Sequence, residues 1–99
     1  MFILNTTYTV EPSCLQQWIQ WIREEFFVVA VDSKLMHEPK LYKVMVAEEQ
    51  GPTYSVQLKA ESLSDLREWL NGEAKVMGEA HSKIFGQKAL GFSTVLKEV

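Results

Sequence analysis

Residues 2–10 alternate along an extended chain, with Phe2, Leu4, Tyr8 and Val10 on one side and Ile3, Asn5, Thr7 and Thr9 on the other. This predicts a strand with one strongly apolar face. At "EPSCLQ" the period changes. Pro12 suits a first helical turn, where its missing N–H costs nothing, and Ser13 with Gln16 resembles a capping box. Leu15, Trp18, Ile19, Ile22, Phe26 and Val29 then recur at three- and four-residue spacing, a helical stripe wide enough to cover a sheet, with Trp21 on its flank. The run "FFVVAVDSKLMHEP" fits an early helix end or a short buried extended segment, so its periodicity leaves 27–38 open.

Residues 40–48 read as a second strand, "EEQGP" as a hairpin turn, and "TYSVQLKA" as a third strand paired antiparallel to the second. Tyr54, Val56, Leu58 and Ala60 share its apolar face, opposite Ser55, Gln57 and Lys59. Ser62 and Ser64 offer N-cap oxygens, and Asp65 puts an anion in the first turn of a second helix. Its apolar positions are Leu63, Leu66, Leu70, Ala74, Met77, His81 and Ile84. A kink or break is expected at Asn71-Gly72, because glycine costs about 1 kcal/mol against alanine inside a helix. Gly86 ends the helix, and "ALGFSTVLKEV" alternates Leu90, Phe92, Thr94 and Leu96 as a last strand.

The order β-α-β-β-α-β with right-handed crossovers selects a single α+β domain over 1–99 with ferredoxin-like topology: a four-stranded antiparallel sheet with two helices on one face. The other face is expected to carry Ile3, Asn5, Thr7, Ser55, Gln57, Ser93 and Val95. Small polar and β-branched side chains suit water or a second copy of the same face. A homodimer is therefore expected, with Thr7, Ser55 and Gln57 at its interface and Trp21 as an exposed aromatic anchor.

Composition narrows the partners. The chain has 99 residues, enough for one core, with 46% hydrophobic residues and a formal charge of −3. With a pI near 5.3 and lysines scattered among acids, no basic patch for nucleic acid is expected. No membrane-length apolar run occurs, and the opening "MFILNTTYTV" lacks the basic and small-residue flanks of a leader, so a cytoplasmic location is the expectation. Cys14 is the single cysteine, without an adjacent histidine, and reads as core filler. His37 and His81 are the only histidines, and none of these residues shows metal-ligand spacing. Glu24-Glu25 and Glu48-Glu49 are adjacent pairs that diverge on any regular element and read as solvated surface.

"NTTYTVEPS", "WIQWIREE", "TYSVQ", "AESLSDL" and "AHSKIFG", in that order, resemble an uncharacterised family of small bacterial proteins of unknown function over nearly the whole chain. At one point the chain departs from that pattern: "EEFFV" has Phe26 where the family often carries a histidine. The resemblance implies an architecture similar to dimeric α+β barrels, in which two ferredoxin-like sheets meet face to face. A looser resemblance, to dimeric α+β barrel monooxygenases including haem-degrading ones, implies a strand-1 asparagine working with a tryptophan and a histidine of the second helix. Asn5, Trp69 and His81 occupy comparable elements.

Physical reading of those three residues pulls the other way. Strand parity points Asn5 away from the face that Leu4 shows to the helices. Trp69 and His81 are twelve apart rather than ten, and at ~100° per residue the two extra positions turn the histidine by roughly 200° unless the break at Asn71-Gly72 absorbs them. His81 shares its stripe with Leu70, Met77 and Ile84, as a core histidine does. Two expectations follow. The first is a non-catalytic or accessory homodimer that takes a small apolar ligand between sheet and helices and needs no cofactor. The alternative is a monooxygenase or haem-handling enzyme in which Asn5, Trp69 and His81 meet at that pocket.

Overall fold

The computed structural model describes residues 1–45 and 51–99. Strand β1 (Phe2–Val10) leads through a single 3-10 turn, Pro12–Cys14, into helix α1 (Leu15–Trp21). The expected Ser13–Gln16 capping box does not form; the Ser13 hydroxyl turns back to Glu11 at 3.5 Å, and Pro12 opens the turn. After a π-helical turn over Ile22–Phe26 the helix runs on as α2 (Phe27–Asp32), so the first half of the open segment 27–38 is helix and its end belongs to a turn and the next strand. Its end is tied by Ser33, whose hydroxyl donates to the Ala30 carbonyl at 2.6 Å and accepts from the Leu35 N–H at 3.1 Å.

Lys34 at φ 67° then reverses the chain. Strand β2 (His37–Lys43) starts three residues before the expected Lys40, with an irregularity between His37 and Lys40. The far end of that expected strand and most of the "EEQGP" turn lie outside the described residues. Strand β3 (Thr53–Ala60) pairs antiparallel to β2, as the alternation predicts. Helix α3 (Leu63–Asn71) is capped by the Ser62 hydroxyl, which accepts from the Asp65 N–H at 3.1 Å. The expected break falls at Gly72, whose ψ of −109° leaves the helical region before α4 (Glu73–Phe85). Gly86, at φ 55°, stops α4, and β4 (Ala89–Lys97) completes the sheet.

The strand order is β2-β3-β1-β4 with all pairs antiparallel, the order of the ferredoxin-like arrangement. Leu4 is buried among Met36, Leu58, Leu66 and Trp69, and Tyr8 packs with the second half of the core, around Val10, Trp18, Ile22, Val56 and Phe85. Both therefore face the helices. Cys14 is buried in that second half. One expectation fails at β4. Its register sets Ser93 opposite Thr6 and Val95 opposite Leu4, on the helical side, so Leu90, Phe92, Thr94 and Leu96 share the open face with Asn5 and Thr7. Period two says which residues share a face; only the pairing says which face that is.

Candidate functional site

A cleft of about 280 Å³ opens between the sheet and α4, floored by Leu4, Thr6 and Tyr8 of β1 and Ser93 of β4. Trp21 and Phe26 of the first helix close one side. Trp69, Leu70, Met77 and His81 from α3 and α4 form the roof, with Lys75 and Gly78 at its rim. Sequence reasoning supplied Trp69 and His81 but missed Tyr8, Phe26, Lys75 and Gly78. One signal was available: Gly78 stands mid-helix, where glycine is costly, and a Cβ there would meet nothing within 4 Å.

Tyr8 can lie flat over the sheet because its neighbour on β4 is Gly91. A Cβ at Gly91 would fall 2.6 Å from the Tyr8 ring and 2.9 Å from the Thr7 carbonyl oxygen. Glycine inside a strand marks this kind of close approach. Beside the ring, Thr6 and Ser93 share a hydroxyl hydrogen bond of 2.9 Å across the two strands. Burial pushes the Tyr8 hydroxyl above its usual range, so it stays a neutral donor and acceptor at physiological pH.

His81 is 8% exposed and its ring lies within 4.9–5.5 Å of those of Tyr8, Trp21 and Phe85. The Trp18 indole N–H donates to its Nε2 at 3.0 Å. An indole nitrogen can only donate, so Nε2 must be the accepting nitrogen and the proton resides on Nδ1. Burial lowers the pKa of the ring, which favours the same neutral form. His81 thus enters the cleft as a fixed tautomer whose Nδ1–H has no protein partner among the described residues.

Trp69 is fully buried, and its indole N–H has no acceptor among the described residues. Leaving a buried donor unpaired costs about 1–3 kcal/mol, and such a group in a native fold calls for an explanation. Trp21, expected as an exposed anchor, is half-buried, with its ring stacked on Phe26 at 6.3 Å and edge-on to Phe85 and His81. The π turn accounts for this. Residues five apart on a regular α-helix point roughly 140° from each other, whereas here the Phe27 N–H bonds the Ile22 carbonyl, five residues back. Trp21 and Phe26 are themselves five apart and so come to one side. Single π turns inside α-helices recur at functional sites.

Asn5 is elsewhere. It lies on the open sheet face, where its Oδ1 accepts a hydrogen bond from the Ser55 hydroxyl and another, at 3.5 Å, from the Gln57 amide. Its Nδ2 donates to Thr7 at 3.3 Å, and Gln57 also donates to Ser55 at 3.3 Å. The four residues form one polar cluster, and the sheet separates it from His81 and Trp69. No cluster of three or more metal-ligating side chains occurs among the described residues. None of the helices among them is long and apolar enough to cross a membrane.

Two solved structures share this architecture. An ethyl tert-butyl ether d (ethd) family protein of Bacillus halodurans superposes with a TM-score of 0.72 at 13% identity, covering all of both chains. A candidate antibiotic biosynthesis monooxygenase of Deinococcus radiodurans gives a TM-score of 0.72 at 10% identity, over 100% of this chain and 93% of that one. At such identities the likeness concerns the fold. No curated protein matches the chain. The family profile described as domain of unknown function (DUF4286) matches residues 1–99, and the protein belongs to that family.

Proposed function

We propose that the protein is a small-molecule-binding homodimeric domain that holds a one- or two-ring apolar ligand in the cleft between sheet and helices, with Trp69 and His81 among the contacting residues. The observation that carries this reading is the cleft itself: about 280 Å³ bordered by four aromatic side chains and a histidine of fixed tautomer. That volume lies at the small end of ligand sites, and mostly apolar walls with a few convergent polar groups are their usual make-up. The mid-helix glycine at the rim, with open space where its side chain would be, keeps the mouth wide.

The oxygenase-like alternative, with Asn5, Trp69 and His81 acting together on a substrate or on haem, fits these residues less well. Asn5 lies across the sheet from the other two, and the Nε2 of His81 is already engaged by Trp18. The monooxygenase name belongs to a neighbour only 10% identical, which supports a shared fold without extending to chemistry.

Titration of the protein with 1-naphthalenemethanol, a neutral two-ring probe, is expected to quench tryptophan emission, because Trp21 and Trp69 both border the cleft. Gly78→Leu, which fills open space at the rim, is expected to abolish the quenching while raising helix stability by about 0.5–1 kcal/mol. Quenching that survives Gly78→Leu would locate the probe elsewhere and overturn the reading. In a parallel titration with haem, a Soret shift lost in His81→Ala would favour the alternative.

A further inference from the structure

The polar groups at the cleft are unequal in kind. Among its bordering residues there is no carboxylate, and the single formal charge is the Lys75 ammonium, which has no ion-pair partner among the described residues. The Nδ1 of His81 is obliged to donate, because Trp18 claims the other nitrogen. The buried N–H of Trp69 also donates, and it lacks an acceptor. Thr6 and Ser93 hydroxyls satisfy each other on the floor. The site therefore offers one cation and at least two donors with nothing to receive them, set among aromatic rings.

From this inventory we propose that the ligand is an aromatic acid: a flat one- or two-ring molecule stacked among Tyr8, Trp21 and Phe26, with its carboxylate turned to Lys75 and the Nδ1–H of His81. The inference rests on the cleft being a ligand site and names the chemistry that site selects. A carboxylate accepts hydrogen bonds without donating any, so it suits donors that have no acceptor, and charge-assisted bonds of this type are the stronger ones. A neutral ring system would leave the Nδ1–H of His81 and the Lys75 charge without a partner in the filled cleft. A cationic one would meet Lys75 as a like charge. The acidic side chains of α3 and α4 do not border the cleft, so they do not neutralise Lys75 within it.

The test compares two probes of equal ring size at pH 7.5, 1-naphthoate and 1-naphthalenemethanol, by tryptophan quenching. Naphthoate is expected to bind about tenfold more tightly, the worth of one charge-assisted contact at 1.4 kcal/mol per decade. Lys75→Met is expected to erase most of that preference, read as the ratio of the two affinities in the variant against the same ratio in the wild type. Gly78→Leu is expected to block both probes, which ties the preference to the cleft. Equal affinity for the two probes would overturn the acid inference and leave the ligand-binding reading standing. A preference that persists in Lys75→Met would overturn it as well. Binding of neither probe would instead remove the ligand-binding reading on which it rests.

Discussion

His81 shows how one side chain can serve both packing and recognition. Its 8% exposure and its aromatic neighbours are those of a core residue, yet the Trp18 hydrogen bond commits its second nitrogen to donation. Protonation would set an Nε2–H against the Trp18 N–H, so the imidazolium loses the bond as well as its hydration. Burial, for its part, lowers the folded pKa below the ordinary 6.5. As pH falls, the unfolded chain takes up this proton first, so stability is fully present above about 6.5 and declines from there down to the folded pKa. Urea midpoints measured between pH 7.5 and pH 5 are expected to fall, and His81→Phe is expected to flatten that dependence. A wild-type midpoint that stays level over this range would contradict the lowered pKa of the buried ring. Glu38 does not enter the comparison, because the Lys59 ammonium 3.1 Å away holds its carboxyl below the usual carboxylate range and its titration lies at more acid pH. At this scale the sequence was partly legible: it singled out Trp69 and His81. Trp18 stood in the helical stripe, but its pairing with His81 spans 63 positions and leaves no local trace.

Most elements with a local signal follow the sequence, the Ser13–Gln16 capping box being the exception, whereas features set by long-range register or by an inserted residue do not. The Ser62 cap, the break at Gly72 and the end at Gly86 each follow from the chemistry of one or two residues. The π turn has no such signature, since Ile22–Phe26 is an ordinary helical string in composition. Its consequence is nonetheless specific, because the extra residue per turn is what brings Trp21 and Phe26 into a stack at the cleft. Deleting Glu24, which is exposed, leaves Trp21 and Phe26 four positions apart, and a regular α-helix puts such a pair on one side. Far-UV dichroism and 1-naphthalenemethanol binding are therefore expected to be retained within about twofold, because the π turn and the deletion place the two rings alike. Binding lost in a deletion variant that keeps its far-UV signal would show that the π turn itself, and not the facing of the two rings, builds the site. The β4 parity error has a related origin. The alternation of Leu90, Phe92, Thr94 and Leu96 was correct, but polarity alone assigned the side, and β1 pairing reverses it.

That reversal changes what the whole molecule presents to its surroundings. The open face carries a row Tyr42–Ser55–Thr7–Phe92 and a second row Lys40–Gln57–Asn5–Thr94. Its centre is polar but internally hydrogen-bonded through Asn5, Ser55 and Gln57, so covering it would strand few groups. Along its margin Leu90 and Phe92 are 60% and 67% exposed, on a strand that is also the edge of the sheet. An apolar margin on an edge strand is a feature that monomers usually suppress with charge. It favours the proposed homodimer through this face more strongly than the mixed polar surface expected from sequence. Phe92→Glu tests the point cleanly: the side chain is exposed in the single chain, so the substitution should change monomer stability by no more than about 0.5 kcal/mol. Two copies pressed together would instead have to take two added carboxylates out of water, a cost of several kcal/mol per ion. Light scattering at micromolar concentration is expected to give twice the chain mass for the wild type and the single chain mass for Phe92→Glu. A wild-type monomer at that concentration would remove the dimer, leaving Leu90 and Phe92 as an apolar edge in need of another partner.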